Sequence, residues 1–286
     1  MEFQVVGSSV ALALVALPLL AARWRIGMKL GVAGALVIGL ATGLTVAWLN
    51  SRWLHLGLAT LLPLQVMFIL LLAGLFVLLR FYRDPERTPL EREGVVLSPA
   101  DGEVLYVRKI QDDTHLVSVK GRERIRLDEI MKAPWPWEGG YLVGIGMNLL
   151  NVHVNRAPLG GRIVRQKRIK GKFLSLRRPE AEALNERVTT VIDSGVMQVA
   201  VVQIASRLVR GIVSYVKEGD VVEIGQRLGM IRFGSQVDLV IPPLVDCKIA
   251  VSPGDKVTAG VSVLARHTQP AISHWAGERT EREVLR

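Results

Sequence analysis

The apolar residues of the chain are concentrated in its first 80 positions, where three runs contain no charged side chain. Gly31 to Leu49 and Leu56 to Leu79 are each long enough to cross a hydrocarbon core of about 30 Å as a helix. Val5 to Ala22 also lacks charge, although its apolar density is lower. The pattern therefore predicts a membrane anchor with two or three transmembrane helices over residues 1–83.

The basic residues that flank these runs predict the orientation of the anchor. They are Arg23, Arg25 and Lys29 after the first run, Arg52 alone after the second, and Arg80, Arg83 and Arg87 after the third. Cytoplasmic connections carry the excess of Lys and Arg. The polar remainder is therefore predicted to lie on the cytoplasmic face of a cell membrane that the chain crosses several times. Because no basic residue precedes Arg23, an anchor is favoured over a cleaved signal peptide.

Beyond residue 94 the pattern changes to short alternating runs separated by Gly, Asp and Pro. The runs are VVLSPADGEVLYVRKI, HLVSVKG, GYLVGIGM, NVHVNRAP, GRIVRQKRI, VTTVIDSG, MQVAVVQIA and GIVSYVKEGD. Alternation with frequent turn residues is typical of β-strands. Residues 84–286 are thus predicted to form a mainly β domain of small twisted sheets, with either a helix or a loop at 179–187 and a short helix or a disordered segment from His274.

The segment EGDVVEIG (218–225) recurs 35 residues later as PGDKVTAG (253–260). In each copy the Gly-Asp pair is expected to form a tight turn, and the following Val to reach the core. This repeat resembles the hammerhead half-barrel of biotinyl and lipoyl carrier domains. Those carriers attach their cofactor to a lysine between the repeats, but residues 231–240 contain no lysine. The resemblance therefore implies the half-barrel without the carrier chemistry.

Charge and cysteine content narrow the function further. The 36 Lys and Arg against 26 Asp and Glu give a net charge of +10, which favours acidic partners such as anionic lipids or nucleic acid. No nucleic-acid motif, nucleotide loop or metal-ligand cluster accompanies this charge, so neither nucleic-acid nor metal binding is predicted. Cys247 is the single cysteine, which excludes an intrachain disulfide and suits a reducing compartment.

One dipeptide, Gly234-Ser235, interrupts the strand pattern of RFGSQVDLVIP. A Gly before a Ser leaves its carbonyl sterically open, so the hydroxyl can attack it and convert the peptide into an ester. Elimination and hydrolysis then convert residue 235 into a pyruvoyl group. Gly-Ser is also typical of ordinary turns. Asp101 and His153 would complete an activated hydroxyl nucleophile, although each alone is also typical of a turn residue and a core histidine.

The polar domain resembles the phosphatidylserine decarboxylases in their shorter prokaryotic form. The matching motifs, in the order of that family, are FYRDPERTP (81–89), SPADGEV (98–104), GMNLLNVHVNRAP (146–158), KGKF (170–173), NER (185–187), QIASRLVRGIV (203–213), GQRLGMIRFGSQVDLVIP (225–242) and VSPGDKVTAG (251–260). They cover nearly all of the polar domain, and several of them are individually specific.

The resemblance implies a proenzyme that cuts itself between Gly234 and Ser235. The products would be a larger β chain, residues 1–234, and a smaller α chain, residues 235–286. The two chains would form a heterodimer, and association into a higher oligomer is left open. Asp101 and His153 match positions that the family uses for self-cleavage and decarboxylation. Longer relatives carry two histidines in this motif, whereas here Arg156 falls near the second. The residue that activates Ser235 is therefore left open.

The cofactor implied is a covalent pyruvoyl group derived from Ser235. Its carbonyl would form a Schiff base with the serine head group of phosphatidylserine, and loss of carbon dioxide would give phosphatidylethanolamine. His153 is the candidate donor of the proton to carbon. Arg156, Lys170 and Lys172 are the candidate ligands of the lipid phosphate.

Three alternatives remain at this point. Archaetidylserine, an ether-linked lipid, carries the same head group and would undergo the same chemistry. A membrane-anchored hammerhead adaptor would need neither Gly234-Ser235 nor His153. A serine hydrolase that used Asp101, His153 and Ser235 would lack the GxSxG elbow. The adaptor and the hydrolase would both keep an unbroken chain.

Overall fold

The computed structural model describes residues 1–24, 26–110, 116–119, 123–126, 139–171, 185–205, 211–232, 236–243 and 247–268. The chain divides into two compact units. One consists of Met1–Arg83 with Asn148–Leu150, and the other of Asp84–Met147 with Asn151–Arg286. We call them the helical unit and the β unit.

The helical unit contains three long apolar helices. They are α1 (Glu2–Arg23), α2 (Met28–Leu49) and α3 (Leu58–Phe81), and a π-helical turn (Asn50–Leu54) continues α2. All three are long and apolar enough to cross a membrane. The prediction of N-terminal apolar helices is confirmed, and the weaker first run is as fully helical as the other two.

Glycines allow α1 and α2 to pack closely. A Cβ added at Gly39 would lie 2.8 Å from the Cα of Val10, and one at Gly43 would lie 2.7 Å from the Cα of Val6. Small residues at such positions let two helix backbones approach, which is a common basis of helix association in lipid. The glycines of the second apolar run are therefore explained by packing as well as by hydropathy.

The β unit contains sixteen strands among the described residues. They are β1 (Val95–Leu97), β2 (Gly102–Ile110), β3 (Leu116–Val119), β4 (Glu123–Arg126), β5 (Gly140–Gly146), β6 (Val154–Arg156), β7 (Gly161–Ile169), β8 (Arg187–Asp193), β9 (Gln198–Ile204), β10 (Ile212–Ser214), β11 (Val221–Val222), β12 (Arg227–Ile231), β13 (Gln236–Ile241), β14 (Lys248–Ile249), β15 (Lys256–Val257) and β16 (Val263–Arg266). Each predicted strand run contains at least one of them.

An eight-stranded antiparallel sheet, ordered β11-β7-β8-β9-β13-β5-β2-β15, forms the half-barrel. Two three-stranded sheets, β1-β16-β14 and β10-β12-β6, and the β3-β4 hairpin accompany it. Inward-facing apolar side chains such as Val143, Ile163, Val201 and Leu239 form one continuous core. The predicted class, mainly β with a hammerhead-like half-barrel, is confirmed.

The repeated Gly-Asp segments occupy equivalent places in this fold. Gly219 and Gly254 have positive φ angles of 93° and 98°, which favour glycine at both turns. Their amides donate hydrogen bonds of 2.8 Å to the carbonyl oxygens of Ile163 and Val104, respectively. The equal spacing in the sequence thus corresponds to equal turns, each docked on a strand of the eight-stranded sheet.

These two bonds extend the repeat to a second pair of segments. They align SPADGEV (98–104) with APLGGRI (157–163). Asp101 in the first segment corresponds to Gly160 in the second. The acidic side chain is therefore an addition to the repeated turn and is not required to form it.

The helical alternative for 179–187 was wrong at the C-terminal end of that segment. Residues 185–187 are not helical, since Arg187 begins strand β8 and pairs with Ile204. The β-branched run that follows Arg187 favours a strand on the sheet. Residues 179–184 lie outside the described residues.

Candidate active site

The predicted cleavage bond lies in the connection between two strands that belong to different sheets. Gly234 and Ser235 lie outside the described residues, but strand β12 ends at Ile231 and strand β13 begins at Gln236. Strand β12 belongs to a three-stranded sheet, whereas β13 is a central strand of the eight-stranded sheet. Both ends of the short connection are therefore held by strand pairing.

His153 lies beside the end of β12. Its carbonyl oxygen accepts a hydrogen bond of 3.2 Å from the amide of Ile231, three residues before Gly234. The imidazole is fully buried, and its Nδ1 lies 2.9 Å from the carbonyl oxygen of Asn151. This contact fits the tautomer that carries hydrogen on Nδ1, which makes Nε2 the nitrogen that can accept a proton.

Asp101 is a buried carboxylate that accepts four hydrogen bonds. Arg87 donates two of them in a bidentate pair, from Nη1 at 2.5 Å and from Nη2 at 2.9 Å. The amides of Val152 and Ala259 donate the others, at 3.3 Å and 2.9 Å. Because Val152 directly precedes His153, the Asp101 carboxylate helps to fix the backbone that carries the imidazole.

Sequence reasoning missed the part played by Arg87. This arginine was used only as one of the charges that follow the third apolar run. Its partner lies 14 residues away, in the turn before strand β2. The RDPER motif offered a signal, because an arginine close in sequence to a candidate carboxylate can pair with it. Only the tertiary contact shows that it does.

Residues 84–87, which we call the DPER segment, also contact strand β12. The Nε of Arg227 donates to Asp84 at 2.5 Å, and its Nη2 donates to Glu86 at 2.6 Å. The hydrogen bond that Arg227 donates to Glu86 raises the pKa of Arg227, and the same contact lowers the pKa of Glu86. One segment therefore holds both the Asp101 carboxylate and the strand that leads to Gly234.

Arg156, a predicted phosphate ligand, is buried, with 3% of its surface exposed. Its Nη1 donates to the carbonyl oxygen of Gly225 at 2.9 Å, and its Nη2 donates to that of Pro85 at 3.0 Å. Burial lowers the pKa of this guanidinium, and the positive charge of Arg227 adds to the effect. The side chain lines an open cavity of about 500 Å³, together with Glu86, Arg87 and Arg227.

The two predicted lysines differ in what the structure describes. Lys170 follows strand β7 and is exposed to solvent. Lys172 lies outside the described residues. Of the predicted site residues, the structure thus joins Asp101 and His153 through Val152, while Ser235 lies outside the described residues.

The match to known proteins covers this whole arrangement. Residues 75–265 match the family model described as phosphatidylserine decarboxylase, so the chain belongs to that family of decarboxylases. The family resemblance inferred from the motifs is confirmed.

Individual relatives are named as proenzymes. The phosphatidylserine decarboxylase proenzyme of Pelobacter propionicus is 35% identical over 82% of this chain and 92% of its own length. That of Syntrophus aciditrophicus is 36% identical over 82% of this chain and 94% of its own. The putative archaetidylserine decarboxylase proenzyme of Methanothermobacter thermautotrophicus is 37% identical over 69% of this chain and 84% of its own.

Proposed function

We propose that this chain is a membrane-anchored phosphatidylserine decarboxylase that cuts itself between Gly234 and Ser235 and uses the resulting pyruvoyl group as its cofactor. The observation that carries the proposal is the backbone hydrogen bond from Ile231 to His153, which holds a residue with a buried imidazole beside the strand that leads into the Gly-Ser bond. Membership of the decarboxylase family supports the reaction. The contact with Ile231 supports His153 as the residue that carries the proton.

The residues around position 235 fit a cofactor that is made from the chain. Such a group needs no binding pocket, but it needs an anchored strand on its carboxyl side. Gln236 pairs with Gly146 on one side and with Ile204 on the other, and only 2% of its surface is exposed. A terminus created at residue 235 would therefore begin on a strand that is paired at both edges.

Formation of the group requires only the chain and water. The Ser235 oxygen bonds to the Gly234 carbonyl carbon as the peptide C–N bond breaks, which gives an ester and a free amine. Loss of the Ser235 Cα proton then expels the Gly234 carboxylate. Water replaces the nitrogen on the unsaturated residue and releases ammonia. The balance closes without a metal or an oxidant.

When present, the pyruvoyl carbonyl binds the amine of the serine head group and takes up the electron pair that departing carbon dioxide leaves behind. His153 supplies the proton to carbon, because its ring is buried and its Nδ1 is oriented by the Asn151 carbonyl. Asp101 and Arg87 act through Val152 by holding the backbone of His153 in place.

Replacing Arg87 with lysine is expected to lower kcat/KM about tenfold and Tm by a few degrees. Lysine keeps the charge but loses one of two parallel charge-assisted hydrogen bonds, a loss of about 1.5 kcal/mol. Decarboxylation kinetics and thermal unfolding measure both effects.

The matched control is Arg266→Lys. Arg266 also forms a bidentate pair, with Glu91, but there both side chains are about half exposed. Exposed pairs contribute little, so we expect this variant to behave like the wild type. Equal losses in the two variants would contradict the positioning role of Arg87.

The two chains are proposed to stay together as a heterodimer after the cut. Strand β13, from the smaller chain, lies between β9 and β5, and strand β16 lies between β1 and β14. The larger chain supplies β9, β5 and β1. Separating the chains would break strand pairing in both sheets.

The anchor fits a lipid substrate that remains in the bilayer. Three helices could span a membrane, and the net charge of +10 attracts a head group of negative charge. We place the β unit on the cytoplasmic face, because the charges around the helices favour that side. Phosphatidylserine is the proposed substrate.

The first test is the intact mass of the purified protein under denaturing conditions, with and without borohydride. We expect two chains that end and begin at the 234–235 bond, with the smaller one shifting on reduction. Carbon dioxide release would then be compared between phosphatidylserine and its ether-linked counterpart. A single chain of full mass would overturn the proposal and leave the adaptor or the hydrolase.

A further inference from the structure

Two buried polar side chains follow the predicted cleavage site on strand β13. Gln236 and Asp238 are two residues apart and therefore lie on the same face of the strand, with 2% and 0% of their surface exposed. Every other residue of β13 is apolar. Buried polar groups are costly unless they are hydrogen-bonded, so their partners are informative.

Tyr106 on strand β2 completes a triangle with these two residues. The Gln236 Nε2 donates to the Tyr106 hydroxyl at 2.7 Å and to the Asp238 Oδ1 at 2.8 Å. The Tyr106 hydroxyl lies 2.9 Å and 3.0 Å from the two Asp238 carboxylate oxygens, to which it donates. The amide gives two hydrogens, and the hydroxyl receives one and gives one, so donors and acceptors match.

Gly144 leaves the space that the Tyr106 ring needs to reach Gln236 and Asp238. Strand β5 lies between β2 and β13, and its Gly144 pairs with both Tyr106 and Asp238. A Cβ at Gly144 would lie 2.3 Å from Cζ of the Tyr106 ring. The ring therefore crosses strand β5 at Gly144, a position without a side chain. The Arg108 guanidinium covers the ring, 3.4 Å from its centre.

We propose that Tyr106, Gln236 and Asp238 form an anchor that aims the keto group of residue 235 after the chain is cut. The inference rests on the proposed function. Before cleavage, residue 235 is covalently bonded to a residue on each side. After cleavage it is a chain terminus, and termini fray unless they are tied down. Tyr106 is thus a positioning residue that acts through the side chain of Gln236.

The test is Tyr106→Phe in the full-length protein. Phenylalanine keeps the ring over Gly144 and removes only the hydroxyl. We expect normal cleavage and a normal borohydride-induced mass shift in the smaller chain, but a kcat about tenfold lower at a nearly unchanged KM, since about 1.4 kcal/mol of orientation is lost. A purely structural role would lower Tm without this split between kcat and KM.

Tyr141→Phe is the matched control. Tyr141 lies on strand β5 three residues from Gly144 and so on the opposite face. We expect its kinetics to equal those of the wild type. If Tyr106→Phe fails to fold, Asp238→Asn replaces it, because asparagine keeps the size of the side chain but replaces one of the two oxygens that accept from the triangle with an NH2 donor. We expect this variant to show the same retained cleavage and reduced kcat.

Two results would overturn the inference. One is a cut Tyr106→Phe enzyme with wild-type kcat, and the other is a Tyr106→Phe chain that stays uncut while the wild type is cut. Failure of the wild type itself to cut would instead overturn the proposed function, so the two failures are distinguishable.

Discussion

Replacing Ser235 with alanine is expected to leave one uncut chain of full mass that releases no carbon dioxide above background. Alanine has no hydroxyl to attack the Gly234 carbonyl, so neither the ester nor the keto group can form. The loss should be complete, because the same side chain is both the nucleophile of cleavage and the precursor of the cofactor. Denaturing mass analysis and a decarboxylation assay measure the two effects separately.

Ser235→Thr provides a matched control. Threonine keeps the hydroxyl, and the same sequence of bond changes would give a keto group one methylene larger. We expect a cut chain, formed more slowly, whose smaller fragment carries that extra mass and still shifts on borohydride reduction. Ser214→Ala, on strand β10, should cut and react like the wild type. Decarboxylation by the Ser235→Ala variant would refute the pyruvoyl mechanism.

Replacing His153 with glutamine is expected to give a cut enzyme whose kcat is lower by a factor of about 10² to 10⁴, the range typical of a lost general acid or base. Glutamine fits the buried site and can donate to the Asn151 carbonyl, but it cannot deliver a proton. The ratio of cut to uncut chain and the rate of carbon dioxide release are the measurements.

The matched control is His267→Gln, directly after strand β16, which should keep the wild-type rate. A His153→Gln enzyme with wild-type kcat would mean that another group delivers the proton.

The DPER segment links these site residues to the stability of the β unit. Arg87 holds Asp101, while Asp84 and Glu86 hold Arg227 on strand β12. The same segment therefore supports both the loop that carries His153 and the strand that leads to Gly234. Changes in the segment should affect cleavage and decarboxylation together, whereas changes in the Tyr106 anchor should affect decarboxylation alone.

Much of the architecture followed from local patterns. The three apolar runs predicted helices, because a backbone in lipid must satisfy its hydrogen bonds internally. The Gly219 and Gly254 repeat predicted equivalent turns, because positive φ angles favour glycine wherever the turn occurs. The Gly234-Ser235 pair could be proposed as a cleavage bond because that chemistry needs only two adjacent residues. Each of these signals is contained in a short stretch of chain.

The remaining features depend on contacts between distant residues. Tyr106 and Asp238 are 132 positions apart and meet only because β5 lies between β2 and β13. The RDPER motif allowed a pair between Arg87 and Asp101, but nothing in the sequence distinguished a buried pair from two surface charges. Arg187 joined a strand because pairing with β9 decided its conformation. By itself the sequence determined the helices and the repeated turns, and it pointed to the proposed cleavage bond. Only the tertiary structure decided which side chains meet Asp101, His153 and strand β13, because strand order sets those neighbours.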